Sequence, residues 1–269
     1  MKKNFIYTLF LLPLLYCSII RSADKNFVVI IPTYNNQNRC IANLMSVLGQ
    51  LYNNYRVIII DDASTDGTGD ILEQFISYYQ LHDKVILIRN QSRQGALANI
   101  YKAAHMCDPY EIIVDLDGDD WLAYDGVLSY LNNVYQDESV WMTYGQFLQY
   151  PLGHKGWCRQ LPQEIIENNA YREYLWITSA LRTFYAKLFQ LIKKEDLQYH
   201  NTFFPITSDL AFMFPMLEMA GNHSKFIKKV LYIYDRNTGS NDEHMNKELQ
   251  ETIELHIRRS KRYAPLKKL

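Results

Sequence analysis

A chain of 269 residues, 48% hydrophobic and 21% charged, has the apolar content for one sizeable globular domain or two closely packed halves. Its formal net charge of -1 lacks the basic excess that nucleic-acid binding uses, so no nucleic-acid partner is expected. Cys17, Cys40, Cys107 and Cys158 are scattered with no Cys-x-x-Cys pair, which argues against a structural zinc site or a disulfide framework.

Residues 1–23 read as a targeting segment, either a cleaved signal peptide or an N-terminal anchor. Lys2 and Lys3 give a positive start, and Phe5 to Ile20 is mostly apolar with Pro13 inside it. That segment predicts an exported or membrane-associated protein, or otherwise one on the cytoplasmic face of a membrane.

From Phe27 the chain alternates. Phe27–Ile31 is a continuous β-rich apolar run, as in a strand buried on both faces, and Pro32-Thr33-Tyr34-Asn35 ends it. Ile41, Leu44, Met45, Leu48 and Leu51 then recur at helical spacing. Val57–Ile60 is a second strand ended by Asp61 and Asp62, and Ile71, Leu72, Phe75, Ile76 and Tyr79 mark a second helix. Val85–Ile88, a helix through Leu97, Ile100 and Ala104, and a strand from Ile112 to Leu116 complete four strand–helix alternations. Short links between such units predict an α/β sheet of parallel strands with right-handed crossovers. Ligands on these sheets bind beyond the carboxyl ends of the strands, where Thr33, Asp61, Asp62, Arg93 and Asp117 to Asp120 all fall.

The second half reads differently. Val140–Tyr144 predicts a strand, Pro151–Pro162 a loop or flap, and Glu164–Phe189 a broken helix. A helix opens at Asp209, with Pro215 expected to kink it. Phe226–Tyr234 returns to strand, Asn237–Asn246 is loop-like, and Leu249–Ile257 is helical. Residues 258–269 read as a solvated basic tail.

Ile112 to Leu122 holds four carboxylates, Asp115, Asp117, Asp119 and Asp120. Carboxylates this close raise one another's proton affinity unless a cation is present. A hard divalent ion, Mn²⁺ or Mg²⁺, relieves that repulsion and shares the phosphates of a bound nucleotide. An acidic turn that caps a helix is the other reading of the same residues.

Phe27-Val-Val-Ile-Ile-Pro-Thr-Tyr-Asn35, Val57-Ile-Ile-Ile-Asp-Asp-Ala-Ser-Thr-Asp-Gly-Thr68 and Asp117-Gly-Asp-Asp120, in that order, resemble the family 2 glycosyltransferases of GT-A fold. Ser208-Asp209 and the residues to Gly221 resemble the later acidic motif of a bacterial-type branch. The resemblance implies a GT-A domain over 24–269: a Rossmann-like, mostly parallel sheet as nucleotide-binding half (27–135), and an α+β acceptor half (136–257). It implies a metal-dependent, inverting transfer from a nucleotide-sugar donor, of UDP type, to a glycan, lipid or protein acceptor. Pro32, Thr33, Tyr34 and Asp62 would line the base pocket, Arg93 would pair with phosphate, and Arg182 would lie on the diphosphate or the acceptor. Asp117 and Asp119, with His244 as third ligand, would hold the metal, and Asp209 would be the catalytic base. Asp61, Ser64 and Asp66 read as turn-stabilising groups, and Asp115 as a structural hydrogen-bonder. Trp121, Trp157 and Trp176 could stack on sugar, with core packing the competing reading for Trp121 and Trp176. The motif departs from the family at Ser208, where Glu is usual, and at Ala180, where histidine is usual. Those departures leave a non-catalytic nucleotide- or glycan-binding protein of the same fold as an alternative. A sugar nucleotidyltransferase ranks lower, because Pro32–Asn35 offers no Gly-rich phosphate loop.

Overall fold

The computed structural model describes residues 23–237 and 247–269. Four strands come first, three buried and β3 at the sheet edge, each followed by a helix or by the acidic turn. They are β1 (Phe27–Thr33), α1 (Cys40–Leu48), β2 (Tyr55–Asp61), α2 (Thr68–Tyr78), β3 (Val85–Arg89), α3 (Ala96–Ala104) and β4 (Ile112–Asp115). All seven residues of β1 are buried because the strand is central and covered on both faces. The four strands run parallel in the order β3-β2-β1-β4, so their carboxyl ends share one edge. After β5 (Trp121–Leu122) and α4 (Val127–Tyr135), the strands β6 (Met142–Tyr150) and β7 (His154–Lys155) form a hairpin.

Here the chain departs from the expected broken helix. α5 covers only Gln163–Glu167, and β8 (Arg182–Tyr185) inserts between β4 and β6, antiparallel to both, ahead of α6 (Ala186–Gln190). A four-residue strand with arginine first has no period that marks it; long-range pairing decides it. Because β8 runs against β4, its first residue lies at the carboxyl end of β4, with Arg182 opposite Asp115.

β9 (Gln198–Tyr199) and β10 (Thr202–Phe203) form a small separate ribbon before α7 (Ser208–Ala220), β11 (Ser224–Asp235) and α8 (Lys247–Arg259). α7 stays one helix through Pro215, and every residue from Leu210 to Ala220 is buried, so the surrounding core holds it around the missing N–H. Two apolar clusters cover the two sheet faces. One contains Val28, Ile30 and α7; the other contains Val29, Ile31 and Leu44.

The basic tail is not a free, solvated end. Tyr263, Leu266 and Leu269 pack against the α7 cluster, and the Leu266 N–H donates to the Met219 carbonyl.

Among the described residues no helix is long and apolar enough to cross a membrane. This corrects the expected export or membrane association, for which the described chain supplies no span. The segment 1–22 that suggested it lies outside the described residues, as does His244.

Candidate active site

The carboxyl ends of β1, β2 and β4 open into a cleft of about 630 Å³, which extends past Arg182 to the start of α7. Of the expected site residues, Pro32, Thr33, Tyr34, Asp62, Arg93, Asp117, Asp119, Arg182 and Asp209 all line it.

At one end Thr33 is buried, and its hydroxyl accepts from Asn36 Nδ2 at 3.0 Å. The Arg93 guanidinium sits over the Tyr34 ring, 4.1 Å from its centroid. Asp62 has a structural duty that the sequence did not reveal. Its Oδ1 accepts from Asn90 Nδ2 and the Gln94 N–H, and its Oδ2 from the Gly95 N–H, each at 2.8 Å. Burial works against its charge, but these donors outweigh burial and hold the carboxyl below the usual range. A carboxylate offers about four lone-pair sites, so three donors leave about one for a ligand. The turn-stabilising readings stand. The Ser64 N–H donates to Asp61 Oδ1, and Asp66 accepts from the Gln37 and Thr68 N–H groups.

The acidic motif is a tight turn closed by the Asp120 N–H on the Asp117 carbonyl (3.1 Å). Asn43 Nδ2 pins it by donating to the carbonyls of Asp117 and Asp120. Gly118 has no room for a side chain, since a Cβ there would lie 2.6 Å from Thr33 Oγ1. The four carboxylates separate by their partners. Asp115 is wholly buried and accepts from Arg182 Nε at 2.8 Å. Asp120 is wholly buried and accepts the Asp235 N–H at 2.7 Å, with Tyr232 Oη 2.5 Å from its other oxygen. Asp117 and Asp119 line the open cleft.

Tyr232 also lies 2.9 Å from Asp117 Oδ2. One hydroxyl proton cannot serve two ionised carboxylates. Burial, then the charges of Asp119 and Asp117, push the Asp120 carboxyl well above its ordinary range. Tyr232 was missed in the sequence. Its signal was alternation in Leu231-Tyr-Ile-Tyr-Asp235, which sends every second side chain of β11 to one face.

Arg182 was expected at the site, but its carboxylate partners were not foreseen. It is 5% exposed and carries three carboxylates: Asp115 through Nε, Asp117 through Nη2 at 3.4 Å, and Asp209 through Nη1 at 3.6 Å. Burial opposes its charge, and Asp115, Asp117 and Asp209 raise its pKa regardless. A guanidinium so committed is not open to a phosphate in the way the sequence suggested for Arg182. Asp209 is the second residue of α7, and its carboxyl is raised by burial against the pull of Arg182. The preceding Thr207 has φ of 53°, a left-handed conformation that a β-branched residue rarely adopts.

The donor set fits a hard cation. Asp117 and Asp119 offer carboxylate oxygens to the cleft from one turn, and the charge they impose on Asp120 is of the kind a cation would neutralise. Among the described residues no group of three His, Cys, Asp or Glu side chains forms a complete cage. Two carboxylates with nucleotide phosphates suffice for Mg²⁺-type binding.

A mostly parallel α/β sheet whose strand ends carry a nucleotide-sized acidic cleft defines the GT-A architecture of sugar transferases. The model of glycosyl transferase family 2 matches residues 28–207, and the chain belongs to that family. It is similar to Glycosyltransferase GlyG of Streptococcus pneumoniae serotype 4, at 25% identity over 223 residues, covering 79% of this chain and 71% of GlyG. Among solved structures, S. aureus TarS 1-349 in complex with UDP-GlcNAc aligns with a TM-score of 0.63 at 17% identity, over 86% of this chain and 65% of that one. Mannosyltransferase PcManGT from Pyrobaculum calidifontis, in complex with GDP-Man and Mn2+, aligns with a TM-score of 0.55 at 18% identity, over 90% of this chain and 68% of that one. At such identities the two structures speak to the fold. The protein is therefore an enzyme that transfers sugar, which decides against the non-catalytic and nucleotidyltransferase alternatives.

Proposed function

We propose that this enzyme is a metal-dependent, inverting glycosyltransferase acting from a nucleotide-sugar donor. The observation that carries the reading is one cleft in which Asp209 faces the Asp117–Asp119 turn with Arg182 between them. Pro32, Thr33, Tyr34, Asp62 and Arg93 form the base and ribose end. Asp117 and Asp119 hold Mn²⁺ or Mg²⁺, which when bound supplies charge neutralisation to the leaving diphosphate. Asp209 accepts the proton of the acceptor hydroxyl as that oxygen bonds to the anomeric carbon and the bond to the diphosphate breaks. One base on the acceptor side supports a single displacement, which inverts the anomeric centre.

A thermal-shift screen of UDP-, GDP- and dTDP-sugars with and without Mn²⁺ tests the donor reading. A metal-dependent stabilisation by one nucleotide class is expected, with UDP favoured. In Asp119→Asn the metal dependence of UDP binding, read by calorimetry, should disappear. Unchanged dependence in that variant removes Asp119 as a ligand.

A further inference from the structure

The lining of the cleft also includes residues outside the expected donor and metal sites. Trp157, on the loop after β7, and Trp176, on the loop leading to β8, both line the cleft. Trp157 is 48% exposed, although it stands against a buried ring. Its indole meets Phe147 edge to face, centroids 4.9 Å apart at 88°. Gly156 lets this contact form, since a Cβ there would overlap the Phe147 ring. Trp176 is braced in the same way on Phe214 of α7, at 5.4 Å and 76°. Trp176 is half-buried and packs against the α7 cluster, while both indoles still contribute to the lining of the cleft.

Neutral polar groups line the same cleft, among them Ser179, Ser208 and Gln250. Glu254 is also present, tied to Arg258 at 2.8 Å. Among the described residues lining the cleft the cationic side chains are Arg93, at the donor end on Tyr34, and Arg182, committed to three carboxylates. Among the described lining residues, a phosphate or carboxylate on the acceptor would meet no further cation and would face Asp209 and Glu254. An uncharged pyranose suits the surface, with its C–H face on an indole and its hydroxyls on neutral hydrogen-bonders.

We infer that the acceptor is an uncharged saccharide whose sugar ring stacks on Trp157 with Trp176 at its flank, which fixes the attacking hydroxyl near Asp209. This rests on the transferase reading above. In the test the full chain, Mn²⁺ and the donor found by thermal shift are offered neutral methyl glycosides and disaccharides, alongside their uronic-acid and 6-phosphate counterparts. Nucleotide release is followed against acceptor concentration. Transfer to a neutral saccharide is expected. Trp157→Ala should raise the acceptor KM about tenfold, while Trp157→Phe keeps most of the affinity and the donor Kd does not change. Trp176→Ala, braced on a different helix, is the second variant and should raise the same KM. Transfer to charged acceptors alone, transfer to no saccharide offered, or an acceptor KM indifferent to both tryptophans overturns the inference. Failure to bind any donor would instead overturn the transferase reading beneath it.

Discussion

Arg182 donates from Nε to Asp115 at 2.8 Å, across the register that sets β8 antiparallel to β4. The pair fixes the guanidinium at the carboxyl edge of the sheet, and its other two nitrogens reach Asp117 on the acidic turn and Asp209 at the start of α7. One buried cation thus ties together the residues proposed for the metal and for the base.

Arg182→Met should destabilise the protein by about 3–5 kcal/mol, because it leaves the buried Asp115 without its counter-charge. The urea midpoint measures this. The pH dependence carries a definite sign. Asp115 is pushed up to about 6, chiefly by burial, with Arg182 pulling it down. Its unfolded value is about 3.9, so the folded state binds the proton more tightly between these values. Its contribution to stability is full below the unfolded value and is lost as pH rises through the folded one. The stability of the native protein relative to Asp115→Asn should therefore shrink from about pH 4 to about pH 7. A constant difference across that range contradicts the assignment.

Asp209→Asn should lower kcat by about 10²–10⁴, the usual worth of a general base, with donor Kd near normal. The native enzyme should lose rate as pH falls, with its acid limb above the ordinary carboxylate range, because burial raises Asp209. A pH–rate profile with no acid limb there, or an active Asn variant, removes Asp209 as the base.

Gly118→Ala tests the acidic turn without touching a carboxylate. The new Cβ would lie 2.6 Å from Thr33 Oγ1 and 2.8 Å from the Pro32 carbonyl, both part of the rigid end of β1. About 1–3 kcal/mol of destabilisation is expected, together with weaker nucleotide binding, since Asp117 and Asp119 flank the displaced residue. Thermal unfolding and calorimetry with UDP read the two effects. A variant with native stability would mean that the turn can yield.

β1, β2 and β4 were legible because a strand buried on both faces writes itself as an unbroken apolar run, as Phe27–Ile31 does. The carboxylates at their ends were legible for the complementary reason, that such charge cannot stay inside a sheet. What each carboxylate does was not legible. Asp115 takes its partner from 67 positions away, and Asp120 takes the Asp235 N–H from 115 positions away. No local pattern encodes either contact. β8 was hidden for the same reason. The tail misled because its lysines and arginines outnumber Tyr263, Leu266 and Leu269, which settle its position.

The tail's docking gives the last prediction. Arg172 and Glu218 are both buried and paired twice, Nε to Oε1 at 2.5 Å and Nη2 to Oε2 at 3.0 Å. Glu218 Oε2 also accepts the Tyr263 N–H at 2.9 Å, so the carboxylate that neutralises Arg172 is a docking point for the tail. Glu218→Gln should cost about 3–5 kcal/mol, since it strands a buried guanidinium. Removing residues 261–269 should cost about 2–4 kcal/mol, from the apolar area of Tyr263, Leu266 and Leu269 together with the lost hydrogen bond. A solvated tail would cost no more than about 0.5 kcal/mol. The two changes share one carboxylate, so together they should cost less than the sum of the separate losses. A double-mutant cycle by urea denaturation measures the coupling. Strict additivity would show that the tail holds to α7 through its apolar side chains alone, without the Glu218 contact.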